Sequence, residues 1–317
     1  MSKTHQQGIA LLTILVMVAL ATILASTIAK RQAYTAESTG YLIRQNQSLL
    51  YAKSAEAFFI ELLQLDADNA GNVDHLQETW ALPMPAFPVE NGTISGVLQD
   101  ESGKFNLNNL VKKDGKPNEV AKLWFERLLV RVGLPAELSQ AVIDWQDPDQ
   151  EVSGAMGAES SYYQGLNPSY AAANQMLHHI AELKQVRGFE GKKYDLIAPY
   201  ISALPEASKL NINTASALVL ASLDSKLDDL VVDSALQQKK QNLEHFQQVA
   251  ELWTLSPFQQ VEVQQQAALT ELLDVKSAYF KANIAVVLDG RKRQLSSWMW
   301  RKDRKIVVYY RDLVPFE

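Results

Sequence analysis

The start of the chain limits its fold more than any other feature. Between His5 and Lys30 no side chain carries a formal charge, and Ile9 to Ile28 reads IALLTILVMVALATILASTI. At ~1.5 Å per residue such a run crosses a bilayer as one helix. A cleavable secretory signal is the other common use of an apolar N-terminus, and Ala25-Ser26-Thr27 is compatible with its small-residue cut site. Flanking charge leaves the orientation open, because Lys3 lies before the run and Lys30 and Arg31 after it. The next segment favours a helix that continues. From Arg31 to Leu65 there is no proline, and Gly40 is the only glycine. Leu42, Leu49, Leu50, Ala57, Phe58 and Leu62 recur at helical spacing. One helix from Ile9 to about Leu65 is predicted, roughly 85 Å long at ~1.5 Å per residue.

Average composition hides this asymmetry. The 317 residues are 47% hydrophobic and 21% charged, which is ordinary globular composition, and the length suggests two domains. There is no cysteine, which excludes disulfides, thiolate metal sites and a cysteine nucleophile. Net charge is −6, and setting aside Lys3 and Lys30 leaves 28 basic against 36 acidic residues, or −8. A nucleic-acid binder needs a basic face, so nucleic acid is not expected as a partner.

Beyond the helix, residues 69–91 hold Gly71, Pro83, Pro85 and Pro88 and read as loop. Two β runs, 93–100 and 104–108, flank Glu101-Ser102-Gly103 and read as a hairpin. Residues 119–275 are helical in pattern, with helices expected at 120–132, 138–145, 170–186, 191–203, 214–223, 227–240, 245–255 and 258–275. Asn213 or Thr214 is a plausible N-cap of the 214–223 helix. Ile180–Phe189 and Val249–Phe258 form a weak repeat of the helix-hairpin-helix kind. Strands return at 282–288, 294–301 and 306–310, with Asp289-Gly290 as a turn. The fold class is therefore α+β: a long N-terminal helix packed on an antiparallel sheet, with a large helical domain inserted between strands. Trp298 and Trp300 share one sheet face, which packs under the long helix or meets a partner.

The densest acidic site is Asp144-Trp145-Gln146-Asp147-Pro148-Asp149-Gln150-Glu151, followed by Gly154, Gly157 and Glu159. Several hard oxygen donors on flexible backbone suit Ca²⁺, but the spacing is not that of an EF-hand. A solvated acidic loop fits the residues equally well. For catalysis the sequence offers little. His178 and His179 are adjacent and cannot share a helix face, and no P-loop, HExxH, G-x-S-x-G or G-x-G-x-x-G occurs. Asp147 and Asp149 have no nameable partner base, so an enzyme is not expected.

A short polar leader ending in glycine, MSKTHQQG, directly before the apolar helix resembles the signature of type IV prepilins and type II secretion pseudopilins. That resemblance implies cleavage by prepilin peptidase between Gly8 and Ile9, followed by methylation of Ile9. Most such proteins carry glutamate at the fifth mature position, where this chain has Thr13. The strings DESGKFNLNNL, DWxDPDxE…GxEssYY and INTAS resemble one branch, the minor pseudopilin K family. The resemblance implies a pilin-like unit divided as leader 1–8, membrane part of the helix 9–30, first pilin-like part 31–110, helical insert 111–275 and second pilin-like part 276–317. It further implies a structural subunit in the bacterial inner membrane, single-pass, with its large C-terminal domain in the periplasm. Minor pseudopilins of the I and J types and other pseudopilins are the implied partners, and the pseudopilus tip the implied place. Members bind calcium in the insert, so Asp144, Asp147, Asp149 and Glu159 are the expected calcium ligands, and Asn167 and Asn174 could add side-chain oxygens. A membrane-anchored, calcium-binding recognition protein of the periplasm is the alternative.

Overall fold

The computed structural model describes residues 6–69 and 73–314. The first element is a single helix, α1 (Gln6–Asn69), of 64 residues. Residues 1–5 of the expected leader lie outside the described part. The side chains from Ile9 to Ile28 are exposed, and this stretch has a mean hydropathy of 2.7 over its most apolar window. Lipid suits such a surface, because a helix satisfies every backbone hydrogen bond internally and leaves only apolar side chains outside.

The second half of α1 lies on a five-stranded antiparallel sheet. Its strands are β1 (Met84–Val89), β2 (Gly92–Asp100), β7 (Tyr279–Leu288), β8 (Arg291–Lys302) and β9 (Lys305–Val314), in the order β1-β2-β7-β8-β9. Ala52, Ala55, Phe59 and Leu63 recur every three or four residues and face Ile94, Leu98, Ile284, Val286, Leu295 and Met299. Burying Phe59 and Leu63 contributes about 1.5–3 kcal/mol each. Gly96 permits this approach, since a Cβ there would sit 2.8 Å from the Phe59 ring. Polar contacts set the helix along the sheet: Arg293 donates to the Gln45 carbonyl at 2.7 Å, and Arg301 pairs with Asp66 at 2.8 Å.

A 3₁₀ turn, Thr79–Ala81, links α1 to β1, and the remaining α-helices and strands among the described residues lie between β2 and β7 in sequence. They are β3 (Phe105–Asn106), α2 (Glu119–Arg131), α3 (Leu138–Gln146), α4 (Ser160–Gln164), α5 (Lys192–Ile197), β4 (Ile201–Ser202), β5 (Leu210–Asn211), α6 (Ala217–Ala221), α7 (Asp229–Gln241), α8 (Ala250–Thr254), α9 (Val263–Thr270) and β6 (Leu273–Asp274). They enclose a second core, built on Phe105, Trp124, Phe125, Leu128, Leu183, Phe189, Leu220 and Phe258, separate from the core beneath α1. Between its helices and irregular stretches the insert carries two short parallel pairs, β3 with β4 and β5 with β6.

Several local expectations are corrected. The residues after Glu101-Ser102-Gly103 do not form a hairpin with β2; Phe105 pairs instead with Ile201, and β2 pairs with β1 and β7. The chain leaves the sheet because Asp100 and Ser102 turn inward to bind across the junction. The stretch 84–89 forms a strand despite Pro85 and Pro88, which an edge position tolerates. Residues 170–179 are irregular, and only Ile180–Gln185 coils, as a 3₁₀ helix. Helix α6 is capped by Ser216, whose hydroxyl accepts from the Val219 N–H, and not by Asn213 or Thr214. Thr214 instead donates to Asp100 across the junction with the sheet, while Asn213 pairs with the Phe246 backbone inside the insert. Trp298 and Trp300 lie on the sheet face turned away from α1, where the insert meets Trp298 through His179 at 5.3 Å between ring centroids.

Candidate metal centre

The asparagines of the DESGKFNLNNL string explain how the insert holds its shape. Asn108 donates to the carbonyls of Leu177 and Leu204 at 2.8 and 2.7 Å and accepts from the Leu177 N–H at 2.9 Å. Asn106 accepts from the Leu204 N–H, and Asn109 accepts from the Ser208 N–H and donates to its carbonyl. These amides pair with backbone that has no regular structure of its own, as buried polar groups require. The same string meets INTAS in space. A Cβ on Gly103 would come within 2.6 Å of the Thr214 hydroxyl, and Asp100 accepts from the Ser102 N–H, Ser277 and Thr214. Burial, opposed by these hydrogen bonds, pushes Asp100 up to about 6. Asp100, Asn211 and Ser277 escape a sequence reading because their partners lie on distant segments.

The acidic loop starts where α3 ends. Asp144 and Asp147 occupy the last turn of α3 and its C-cap, and Glu159 precedes α4. The fold brings one carboxylate oxygen from each to within 4.8 Å of the others, and all three side chains are buried. Gly157 makes room, since a Cβ there would meet Asp144 Oδ2 at 2.4 Å. The Ser153 N–H donates to both oxygens of Asp144, at 3.2 and 3.1 Å. Asp149 is not with them: it is exposed and accepts from the Glu151 N–H at 2.8 Å. Asn167 is also exposed. Asn174 adopts a left-handed φ of 47°, donates to the Asp149 carbonyl and is tied by its N–H to the Trp145 carbonyl at 2.9 Å.

Asp147 Oδ1, both carboxylate oxygens of Glu159 and Asn174 Oδ1 are buried without any hydrogen-bond donor among the described residues. Burial first, then Asp149 and Asp144, push Asp147 up to about 6; burial first, then Asp144, Asp147 and Asp149, push Glu159 up to about 7. Buried carboxylates that repel one another need a cation or protons. Orphaned hard oxygens on a loop with two glycines fit a divalent ion such as Ca²⁺. Aromatic rings brace the loop: Trp145 packs edge-on against Tyr163, Tyr163 stacks on Tyr170, and Arg187 lies over Tyr162 while donating to the Gly157 carbonyl at 2.8 Å.

A second acidic group, Asp66, Asp74 and Glu78, has a different character. The Arg301 guanidinium pairs with both aspartates, and Glu78 accepts from Trp80 Nε1 and the His75 N–H. It is an ion-pair hub tying the end of α1 to the sheet. The adjacent histidines are structural too: His179 Nδ1 accepts from the Ala181 N–H at 3.0 Å, and Glu182 accepts from the N–H groups of His178 and His179.

Comparison with known proteins supports the resemblance seen in the sequence. The family described as "Type II secretion system (T2SS), protein K" matches residues 103–206 and again residues 210–276. Type II secretion system protein K of Aeromonas hydrophila is 34% identical over 98% of this chain and 98% of its own. The protein of the same name from Pseudomonas aeruginosa is 34% identical over 98% of this chain and 94% of its own. One chain in the crystal structure of the GspK-GspI-GspJ complex from the enterotoxigenic Escherichia coli type 2 secretion system superposes with a TM-score of 0.78 at 25% identity, covering 87% of this chain and 99% of that one. With relatives aligned almost end to end and a solved neighbour superposing over 87% of its length, the chain belongs to the type II secretion system protein K family.

Proposed function

We propose that this chain is a structural minor pseudopilin that caps the pseudopilus tip together with partners of the GspI and GspJ types. The supporting observation is α1 itself. Its first half is apolar all round, and its second half carries the sheet and the insert. On the side of α1 opposite the sheet, Ile43, Leu50, Phe58 and Leu65 are 60%, 63%, 50% and 51% exposed. Their seven- and eight-residue spacing forms one apolar seam, which suits a neighbouring helix leaving the same membrane. The inner membrane holds the span, and the remainder lies in the periplasm. Prepilin peptidase cuts between Gly8 and Ile9, and Ile9 is then methylated. The insert is bulky, so a subunit stacked above it in a regular helical filament would clash; a terminal position removes the clash.

Calcium is proposed at Asp144, Asp147 and Glu159, with Asn174 Oδ1 as a further donor. When bound it supplies the positive charge that these buried oxygens lack. Asp144 is held in place by the Ser153 N–H, while Arg187, Tyr163 and Tyr170 fasten the loop to the 180–189 segment. The site is read as structural: a bound ion would tie the end of α3 to the residue that precedes α4.

Co-expression with a prepilin peptidase tests the processing. Mass spectrometry should report Ile9, methylated, as the new N-terminus. An intact leader, or a cut near Ser26, removes the pseudopilin reading. Isothermal titration of the chelated protein with calcium tests the metal site, and absence of heat at every concentration up to about 1 mM removes it.

A further inference from the structure

The loop that follows α1 and the α7–α8 loop of the insert meet through two histidines. The His75 and His245 rings stack with centroids 3.9 Å apart and planes 20° from parallel. Each ring has a nitrogen that receives an N–H. His75 Nδ1 accepts from the Gln77 N–H at 3.3 Å, and Gln247 Nε2 donates to His245 Nε2 at 2.7 Å. Gln77 Nε2 donates across the same contact to the Lys240 carbonyl at 3.1 Å. Beside the rings lies a cavity of about 410 Å³ lined by Gln77, Asn213, Thr214, Lys239 and His245, so the contact is narrow and water can reach it.

From this geometry we infer that the His75–His245 stack is an acid-released clasp between the pilin-like unit and the insert. Protonation at either accepting nitrogen replaces a received hydrogen bond with two N–H groups facing each other. Protonation of both places two cations within stacking distance. The charged surroundings divide by side. Asp74 and Glu78, on the loop of His75, favour its charged form or that of its partner. Lys239 on α7 opposes it, though Glu244 pairs with Lys239 at 3.5 Å, and Glu251 on α8 favours it. Asp233 of α7 lines the cavity beyond. Burial is the largest effect on both rings and holds each below the ordinary imidazole value of 6.5. By linkage, groups held neutral in the folded state stabilise it above that value and weaken it as pH falls below. The clasp is closed at neutral pH and opens in acid.

The test is hydrogen exchange on the full chain in detergent, expressed as protection factors so that intrinsic pH effects cancel. Between pH 7.5 and 5.0 the segments 73–78 and 242–249 should lose about tenfold in protection while β7 and β8 keep theirs. A double variant, His75→Phe with His245→Phe, keeps a ring stack without titratable nitrogens and should hold its protection at both pH values. Equal loss in the double variant, equal loss in β7 and β8, or no loss in the wild type each overturns the proposal. Independently, the two imidazole C–H resonances should titrate together below 6.5. Two separate titrations at the ordinary value also overturn it.

Discussion

Arg311 in β9 grips Glu56 in α1 with two hydrogen bonds, Nε at 2.7 Å and Nη2 at 2.9 Å. Glu56 is buried and also accepts from the Ser297 hydroxyl, while Arg311 is half exposed. This bidentate pair fixes both the rotation and the height of the long helix on the sheet. Breaking a fully buried pair by removing one partner costs several kcal/mol; solvent around Arg311 reduces this. Arg311→Ala should therefore destabilise the helix-on-sheet unit by about 2 kcal/mol in urea titration. Adding Glu56→Gln should recover part of the loss, because the orphaned charge is gone. Additive losses would show that the pair does not act as a unit.

The proposed metal ligands should separate cleanly by mutation. Asp147→Asn and Glu159→Gln each remove a buried, unpartnered anionic oxygen and should abolish calcium heat at micromolar concentrations. Asp149→Asn should leave binding within about threefold, since its carboxylate serves the turn to Glu151 and acts only through space. At saturating calcium the wild type should gain about 2.7 kcal/mol at a hundredfold excess over Kd, worth roughly 5 °C in melting temperature. Strong loss of binding in Asp149→Asn would place the ion elsewhere in the loop.

The same carboxylates give a pH dependence of opposite sign to the usual acid denaturation. Without an ion, Asp147 near 6 and Glu159 near 7 bind protons in the folded state that the unfolded chain, at the ordinary 3.8 and 4.5, does not. Through this site the ion-free protein gains stability as pH falls through 7 toward 4. Calcium bound as proposed would compete with those protons. The melting-temperature difference with and without calcium should thus be largest at pH 8 and shrink toward pH 5. A calcium shift that stays constant over that range would show that these groups do not bind it.

Asn108 has no exposed surface and serves three backbone groups of the insert. Asn108→Ala leaves a Leu177 N–H and two carbonyls unpaired and should cost about 3 kcal/mol. Calorimetry should show the insert melting earlier while the sheet transition stays in place, because the two cores are separate.

The apolar seam on α1 can be broken without touching the fold. Leu50 and Phe58 are half exposed or more, so Leu50→Glu with Phe58→Glu should leave melting unchanged. It should reduce co-purification with partners of the GspI and GspJ types at least about tenfold, as loss of a central apolar anchor does. Unchanged co-purification would move the contact to another surface.

Local pattern made much of this protein legible. A charge-free run from Gln6 to Ala29, then apolar residues every three or four positions, define α1, because helix formation and its apolar face depend on neighbours in sequence. The strands β7, β8 and β9 were equally readable from alternation and from Asp289-Gly290. Asp144, Asp147 and Glu159 were visible as oxygen donors, and motif resemblance pointed to the family.

Tertiary structure decided the rest. Asp149 lies exposed while its neighbours Asp144 and Asp147 converge with Glu159, and Asn174, far along the chain, is held left-handed by the Trp145 carbonyl, which no spacing rule encodes. Phe105 leaves β2 for Ile201, and Trp298 turns to His179, because long-range pairing outweighs the local hairpin signal. Asp100 joins Thr214 and Ser277 across separations of 114 and 177 residues. Short-range periodicity and contiguous motifs were enough for the long apolar helix, the strands β7, β8 and β9, and the family. Only the folded chain decided which oxygens converge and how the insert is clasped, because burial and repulsion act between groups that meet in space alone.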